Sequence, residues 1–339
     1  MKLFDQFKVK NMTLKNRIVM PPMCMYSAAA DGKATDFHLM HYASRAIGGT
    51  GLIIVEATGV SPIGRISDND LGIWNDDQIS GLKKVVDACH AQGAKIAIQI
   101  SHAGRKSQSA CGQPLAPSAL AFSNEYQQPA ELTKIQLADI ADSFRKAAFR
   151  ADKAGFDGIE IHAAHGYLLH EFLSPLTNKR TDEYGGCLEN RVRMLREVLE
   201  NIHSVWPEKK PIWLRVSASD YNKNGINGNM MIDILHSVKE LIDLVHVSSG
   251  GLLPDPVASY PGYQLPLAKV IKEHCQIPVM AVGLLNDPEI AEAALHNDNI
   301  DLIAFGRKLL RDPYFALQAA LKYNIAGYLP QAYERAYHR

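Results

Sequence analysis

The sequence predicts an α/β protein built as a single (β/α)8 TIM barrel over residues 1–339, with an N-terminal β-hairpin and an extended C-terminal tail. Three observations predict it. Eight short apolar runs of strand type alternate with segments of helical periodicity. No low-complexity linker divides the chain and no repeat of about 20–50 residues is present, which favours one barrel over a doubly wound sheet. Glycines follow the last two runs, Gly283 and Gly306, where this fold builds a phosphate site from close-approaching backbone N–H groups.

Taken in order, Phe7–Thr13 reads as the hairpin, with Lys10-Asn11 as its turn. The eight strand runs are Arg17–Met20, Leu52–Glu56, Ala94–Ile100, Gly158–His162, Ile212–Val216, Leu244–Val247, Val279–Val282 and Leu302–Phe305. Helical periodicity marks Asp77–Gln92, Gln136–Ala154, Asn190–Val205, Met230–Leu241 and Pro288–Asn297. Ala-Gln-Gly at 91–93 and Lys-Ala-Gly at 153–155 are helix stops that pass straight into the next strand. The long irregular stretches 103–134 and 170–190 follow strands three and four, on the face where barrel loops shape a pocket.

Composition narrows the function classes. With 47% hydrophobic residues the chain can bury a large core. Lys plus Arg and Asp plus Glu both number 36, so no net field attracts nucleic acid or an anionic membrane. The opening Met1–Lys8 lacks an apolar leader, and no apolar run approaches the roughly 18 residues of a membrane span. Five scattered cysteines, with no CxxC pair and no metal spacing, fit a thiol-reduced cytoplasmic protein without a metal site.

The chemistry concentrates in Gly155–Tyr167. His162, His165 and Tyr167 fall at the carboxyl end of strand four, where barrels gather catalytic groups. Two neutral imidazoles can both donate to one oxygen, and a phenol can deliver a proton; a satisfied structural pair is the alternative. The other strand ends carry Pro21-Pro22-Met23-Cys24-Met25-Tyr26, Ala57-Thr58, Gln99–His102, Arg215, Ser248-Ser249-Gly250-Gly251, Gly283 and Gly306-Arg307. This set suits a flat redox-active heterocycle carrying a phosphate. Gln99 can donate and accept against a ring edge. Arg215 can hold developing negative charge or pair with a neighbouring strand. Cys24 can tune a redox potential or fill core space as a buried thiol. The aromatic and basic terminus, Gln331–Tyr337, is either a solvated tail or a segment that docks into another subunit.

On these residues the chain resembles the Old Yellow Enzyme family of FMN-dependent ene-reductases, and within it the short thermophilic-like branch of bacterial NADPH dehydrogenases and xenobiotic reductases. The resemblance runs through Leu14–Val19, Pro22–Tyr26, Gln99–Lys106, Gly158–Pro175, Asn178–Gly186, Glu189–Arg191, Arg215 and Gly306-Arg307. The His-x-x-His form and Cys24 mark the branch. The resemblance implies non-covalent FMN, NADPH or NADH as electron donor, and ping-pong reduction of the activated C=C bond of unsaturated carbonyl or nitro compounds. It implies Pro22, Met23, Cys24, Ala57, Gln99 and Arg215 around the flavin ring, and Gly283, Gly306 and Arg307 at its phosphate. It assigns His162 and His165 to the substrate oxygen, Tyr167 to protonation and Tyr26 to the pocket wall. Lys106 would lie near the flavin, and Arg335 would reach the neighbouring subunit of a homodimer or homotetramer. Phe37 stands where the branch often has Trp, and the loop around Ser109–Gln113 leaves substrate preference open. A flavin-free aldolase or isomerase would use the same phosphate glycines but wants a Schiff-base lysine at a strand end, which the sequence lacks. A non-catalytic sensor that kept its cofactor is the other alternative.

Overall fold

A computed structural model describes residues 1–337; residues 338–339 of the predicted unit lie outside the described residues. Eight parallel strands close into a barrel: β1 (Ile18–Met20), β2 (Leu52–Gly59), β3 (Lys95–Ser101), β4 (Gly158–Ala163), β5 (Ile212–Ser217), β6 (Leu244–Ser248), β7 (Val279–Ala281) and β8 (Leu302–Ala304). They follow one another around the barrel in chain order, and β8 pairs back onto β1 through Ile303 beside Ile18. Outside run α1 (Asp36–Ile47), α2 (Ile79–Ala91), α3 (Lys134–Ala154), α4 (Leu168–Leu173), α5 (Leu188–His203), α6 (Gly228–His236), α7 (Leu265–Cys275), α8 (Pro288–Asn297), α9 (Gly306–Arg311) and α10 (Phe315–Lys322).

The expected hairpin forms from Phe7–Val9 and Met12–Leu14, with Lys10 at φ 47 in the turn. Strand two runs three residues past the expected Glu56, to Gly59, through a register shift between Val55 and Thr58. The expected helix 230–241 stops at His236 and resumes as a separate 3-10 turn, Lys239–Leu241. Residues 331–336 at the tail wind into a 3-10 helix. None of the described helices is long and apolar enough to cross a membrane.

Local chemistry explains the ends. At the start of α3 the Thr133 hydroxyl accepts the Gln136 N–H, and Gln136 Oε1 accepts the Thr133 N–H at 2.9 Å. Such a reciprocal cap stabilises a helix by about 1 kcal/mol. Gly155 ends α3 in the left-handed conformation at φ 94. Between them Leu137, Ile140, Phe144, Ala148 and Ala151 form one buried stripe against the barrel. Phe144→Ala would cost about 3–5 kcal/mol through the cavity it leaves.

Successive strand residues face in and out alternately, so each strand reads as an outer apolar series and an inner one. The inner series changes character along the axis. At the amino end Val19, Leu52, Ile54, Ala97, Trp213, Leu244 and Met280 pack against Val9, Met12 and Leu14 of the hairpin, which plugs that end. Two residues further along, the inner positions turn polar: Glu56, Gln99, Glu160, Arg215 and His246. The barrel is a hydrophobic plug at one end and a ring of buried polar groups at the other.

Candidate active site

The polar end opens into a cavity of about 390 Å³, lined among others by His165, Arg215, Gln264, Gly283, Gly306 and Arg307. That volume falls within the roughly 300–1,000 Å³ of small-molecule pockets. The structure therefore brings the strand-four, strand-five, strand-seven and strand-eight candidates together at one mouth.

His162 ends the inward series of β4 and is buried. Its Nδ1 accepts the Ala164 N–H at 3.3 Å, which places the ring proton on Nε2. The chain then leaves the barrel through two consecutive left-handed residues, His165 at φ 58 and Gly166 at φ 74. A side chain at Gly166 would put Cβ 2.4 Å from the Gly251 carbonyl oxygen, so only glycine fits. Several contacts hold this turn. The His165 N–H donates to Ser217 Oγ at 3.0 Å, and Lys106 Nζ donates to the His165 and Gly251 carbonyls at 3.0 and 3.2 Å. The Gly166 N–H donates to His170 Nδ1 at 2.9 Å, and His170 Nε2 lies 2.9 Å from Asp220 Oδ1. His165 Nε2 lies 2.8 Å from Ser248 Oγ, which already accepts from Gln264 Nε2. The arrangement that satisfies all three has Ser248 donating to Nε2, leaving the His165 proton on Nδ1.

The two imidazoles stand edge to face at 5.3 Å between ring centroids, and His162 meets the Tyr167 ring at 4.8 Å. Burial, then the Arg215 charge, holds both histidines well below their usual pKa, so each is neutral at pH 7 and offers one N–H. Burial, with Cys24 and Tyr26 adding, holds the Tyr167 phenol well above its usual value, so it keeps its proton. The Lys106 ammonium lies 5.1 Å over the Tyr167 ring; burial lowers its pKa to about 8.

Across the mouth, Pro22, Met23, Cys24 and Tyr26 leave β1. The Glu56 carboxylate organises this turn, accepting the Met25 N–H at 3.2 Å and the Tyr42 hydroxyl at 2.7 Å. Burial, then Asp70 and Glu56, raises the Cys24 thiol far above its usual range, so the sulfur is a protonated thiol. Tyr26 is strained at φ 52 and about half exposed. Ala57 is buried in the irregular part of β2. Gln99 is buried with its Nε2 donating to Glu160 Oε1 at 2.7 Å. Arg335 lies on the exposed tail helix beside Tyr314, Leu317, Tyr333 and Tyr337, lining a separate groove of about 510 Å³.

The residues present fit a ring with a phosphate tail. Arg215 is buried, has Nη1 on the Pro22 carbonyl at 3.3 Å, and leaves Nε without a partner among the described residues. An unpartnered buried guanidinium N–H is costly unless an acceptor meets it. Gly283 takes φ 124, which an L side chain rarely adopts, and a Cβ there would press on Gln264 at 3.2 Å. Gly306 and Arg307 open α9, whose first-turn N–H groups have no partner within the helix, and the Arg307 side chain is exposed beside them.

Sequence reasoning placed Ser248 at a strand end without a role and missed Ser217, Gln264, Glu160 and the His170–Asp220 pair. Ser248 sits in a Ser-Ser-Gly-Gly strand end, and Glu160 and Ser217 sit two residues from His162 and Arg215 on the same inward face. Gln264 comes from a loop and carries no pattern that marks it.

The sequence pattern of the NADH:flavin oxidoreductase / NADH oxidase family matches residues 2–325. The chain is 55% identical to an NADPH dehydrogenase of Clostridium acetobutylicum over 99% of this chain and 100% of that one. It is 50% identical to an NADPH dehydrogenase of Bacillus subtilis over 99% of each. Morphinone reductase superposes with a TM-score of 0.81 at 28% identity, covering 94% of this chain and 89% of that one. A 2-naphthoyl-CoA reductase superposes with a TM-score of 0.90 at 27% identity, and the chain spans only 52% of its length. With near-complete coverage in both directions against the bacterial dehydrogenases, the chain belongs to the NADH:flavin oxidoreductase / NADH oxidase family, the Old Yellow Enzyme family, and is an FMN-dependent enzyme that oxidises NAD(P)H.

Proposed function

We propose that this enzyme passes the electrons of NAD(P)H to the activated C=C bond of α,β-unsaturated carbonyl or nitro compounds, donor and acceptor visiting one site in turn in a ping-pong cycle. The observation that carries this reading is the pair of neutral imidazoles and the protonated phenol gathered beside the cavity that ends at Gly283 and Gly306. FMN, when bound, supplies the capacity to accept and hand on a hydride. Pro22, Met23, Cys24, Ala57, Gln99 and Arg215 would hold its ring; Gly283, Gly306 and Arg307 would hold its phosphate.

The geometry supports each residue role. Arg215 brings a buried positive charge with an N–H unpartnered among the described residues, a preorganised field that favours electron density nearby. His162 Nε2–H and His165 Nδ1–H donate to the carbonyl or nitro oxygen of the acceptor, drawing electrons from its β-carbon. Tyr167, neutral and protonated, acts as general acid toward the α-carbon. Cys24, as a thiol, offers a soft and uncharged neighbour to the ring. Tyr26 walls the mouth. Lys106 holds the turn that aims His165 and Tyr167.

The described fold forms one FMN-binding unit in this reading, and the enzyme works in the cytoplasm as a homodimer or homotetramer. Support for the assembly is Arg335, placed on an exposed helix between two half-exposed tyrosines. Light scattering on the Arg335→Ala variant, with KM for the acceptor, tests whether it completes a neighbour's site. The function itself is tested by the visible spectrum of the purified protein. NADPH bleaches the flavin band without oxygen, cyclohexenone restores it, and initial rates give parallel double-reciprocal lines. Bleaching with no faster recovery on adding the enone refutes the ene-reductase reading.

A further inference from the structure

Beneath the cavity the barrel interior holds a carboxylate that the proposed reaction does not use. Glu160 is wholly buried in the middle of β4, two residues before His162 and on the same inward face. Gln99 on β3 and Trp213 on β5 flank it in register. Its Oε1 accepts from Gln99 Nε2 at 2.7 Å. Its Oε2 accepts from Trp213 Nε1 at 2.6 Å and from His246 Nδ1 at 2.9 Å. A buried charge persists only when well partnered, and three donors from three strands partner this one. Burial works to raise its pKa, but His246, Arg215 and the Trp213 hydrogen bond outweigh it, and the net shift is downward. Glu160 is therefore a carboxylate, which accepts and never donates.

That one-way character bears on Gln99. A glutamine amide has a donor end and an acceptor end of nearly the same shape, and either can face a neutral neighbour. Against a carboxylate at 2.7 Å only the donor end is tolerated, because the flipped amide would set two acceptor oxygens in contact. We propose that Glu160 is a positioning residue which, by accepting the Gln99 N–H, fixes which way round Gln99 presents its amide to the flavin. The inference rests on the placement of Gln99 at the ring.

The test is a double-mutant cycle read by FMN affinity, with the apoprotein titrated with FMN and flavin fluorescence followed. Glu160→Gln keeps the shape, but its oxygen stays on the Trp213 and His246 donors, so its new NH2 group faces Gln99 and favours the flipped amide. Glu160→Gln and Gln99→Met each weaken FMN binding by about tenfold, the worth of one good hydrogen bond. The double variant binds no more weakly than Gln99→Met alone, because Glu160 acts through Gln99. The flavin absorption band also moves in Glu160→Gln. Unchanged affinity and spectrum in Glu160→Gln, or effects that multiply in the double variant, overturn the proposal. Unchanged affinity in Gln99→Met overturns the placement of Gln99 itself. If Glu160→Gln does not fold by circular dichroism, Glu160→Leu, close in size and without an acceptor for the Gln99 N–H, replaces it in the same cycle under the same criteria.

Discussion

Tyr167→Phe separates catalysis from stability in this protein. The Tyr167 ring packs 4.8 Å from His162 and under the Lys106 ammonium at 5.1 Å, and phenylalanine keeps both contacts. No hydrogen bond to the hydroxyl is found among the described residues, and burial rather than a partner sets its raised pKa. Removing the oxygen therefore strands no donor or acceptor, and the stability change stays within about 0.5 kcal/mol, a Tm shift of about 2 °C or less. A positioned general acid contributes roughly 10²–10⁴ in rate, or about 2.7–5.5 kcal/mol of barrier. The assay is anaerobic stopped-flow absorbance at the flavin band. Bleaching by NADPH keeps its rate, while recovery on adding cyclohexenone slows by about 10²–10⁴. Equal slowing of both phases, or no slowing of recovery, refutes the assignment of the proton to Tyr167.

Other outcomes follow from the same geometry. Replacing both His162 and His165 with Ala removes the two N–H donors, so phenol ligands lose the long-wavelength charge-transfer band they develop on binding; an unchanged titration removes the histidines from that role. Asp220→Asn weakens a buried acceptor that takes Ser174 Oγ and the Ile226 N–H, both at 2.7 Å, and faces His170. Urea unfolding should show a loss of about 2–4 kcal/mol, and a loss below about 0.5 kcal/mol contradicts the network. Burial raises Glu171 from 4.5 to about 8, against the pull of Arg105. Across that window the folded chain holds a proton that the unfolded chain has released, so wild-type stability declines as pH rises toward 8. Glu171→Gln cannot titrate and gains on the wild type between pH 5 and pH 8; parallel urea midpoints at the two pH values refute the shift. FMN at about 100 times its Kd stabilises the apoprotein by about 2.7 kcal/mol, read as a rise in Tm, and a Tm indifferent to FMN excludes specific binding to the folded state.

How much of this was legible in the residues depended on whether burial followed hydrophobicity. The outward series of the strands is aliphatic, as in Ile96, Ile98 and Ile100 or Ile212, Leu214 and Val216, and with both faces buried such segments read clearly as parallel strands. His162, His165 and Tyr167 were legible because they crowd at a strand end. Helix α1 shows the opposite case. Its buried side carries His38, His41 and Arg45 with Tyr42 and Ala46, while Phe37 and Met40 are exposed. Hydrophobicity alone therefore does not mark the buried side of this helix. Strand eight ends at Ala304 instead of the expected Phe305 because Phe305 leaves the barrel to pack against Phe315, at 4.8 Å. Gln264 was illegible for another reason: it reaches Ser248 and Ser249 from outside the strands, and nothing in its own segment records where the loop brings it.

The same departure from hydrophobic burial explains why the mouth is where chemistry is possible. A barrel filled with aliphatic layers to its top would be more stable and could bind only apolar shapes. Here the hairpin closes the amino end with Val9, Met12 and Leu14, and the opposite end is given to Gln99, Glu160, Arg215 and His246. Near that end Ser101, His102, Arg215 and His246 each leave a buried side-chain atom without a partner among the described residues. Each such atom costs about 1–3 kcal/mol, and four together would consume a large part of a domain's usual margin of about 5–15 kcal/mol. Where a bound group meets such an atom it returns part of that cost, so stabilisation by ligand concentrates in the groups that recognise it. Stability lent by the plug and recognition supplied by the ring are thus two ends of one alternating pattern, set by which strand residues face inward.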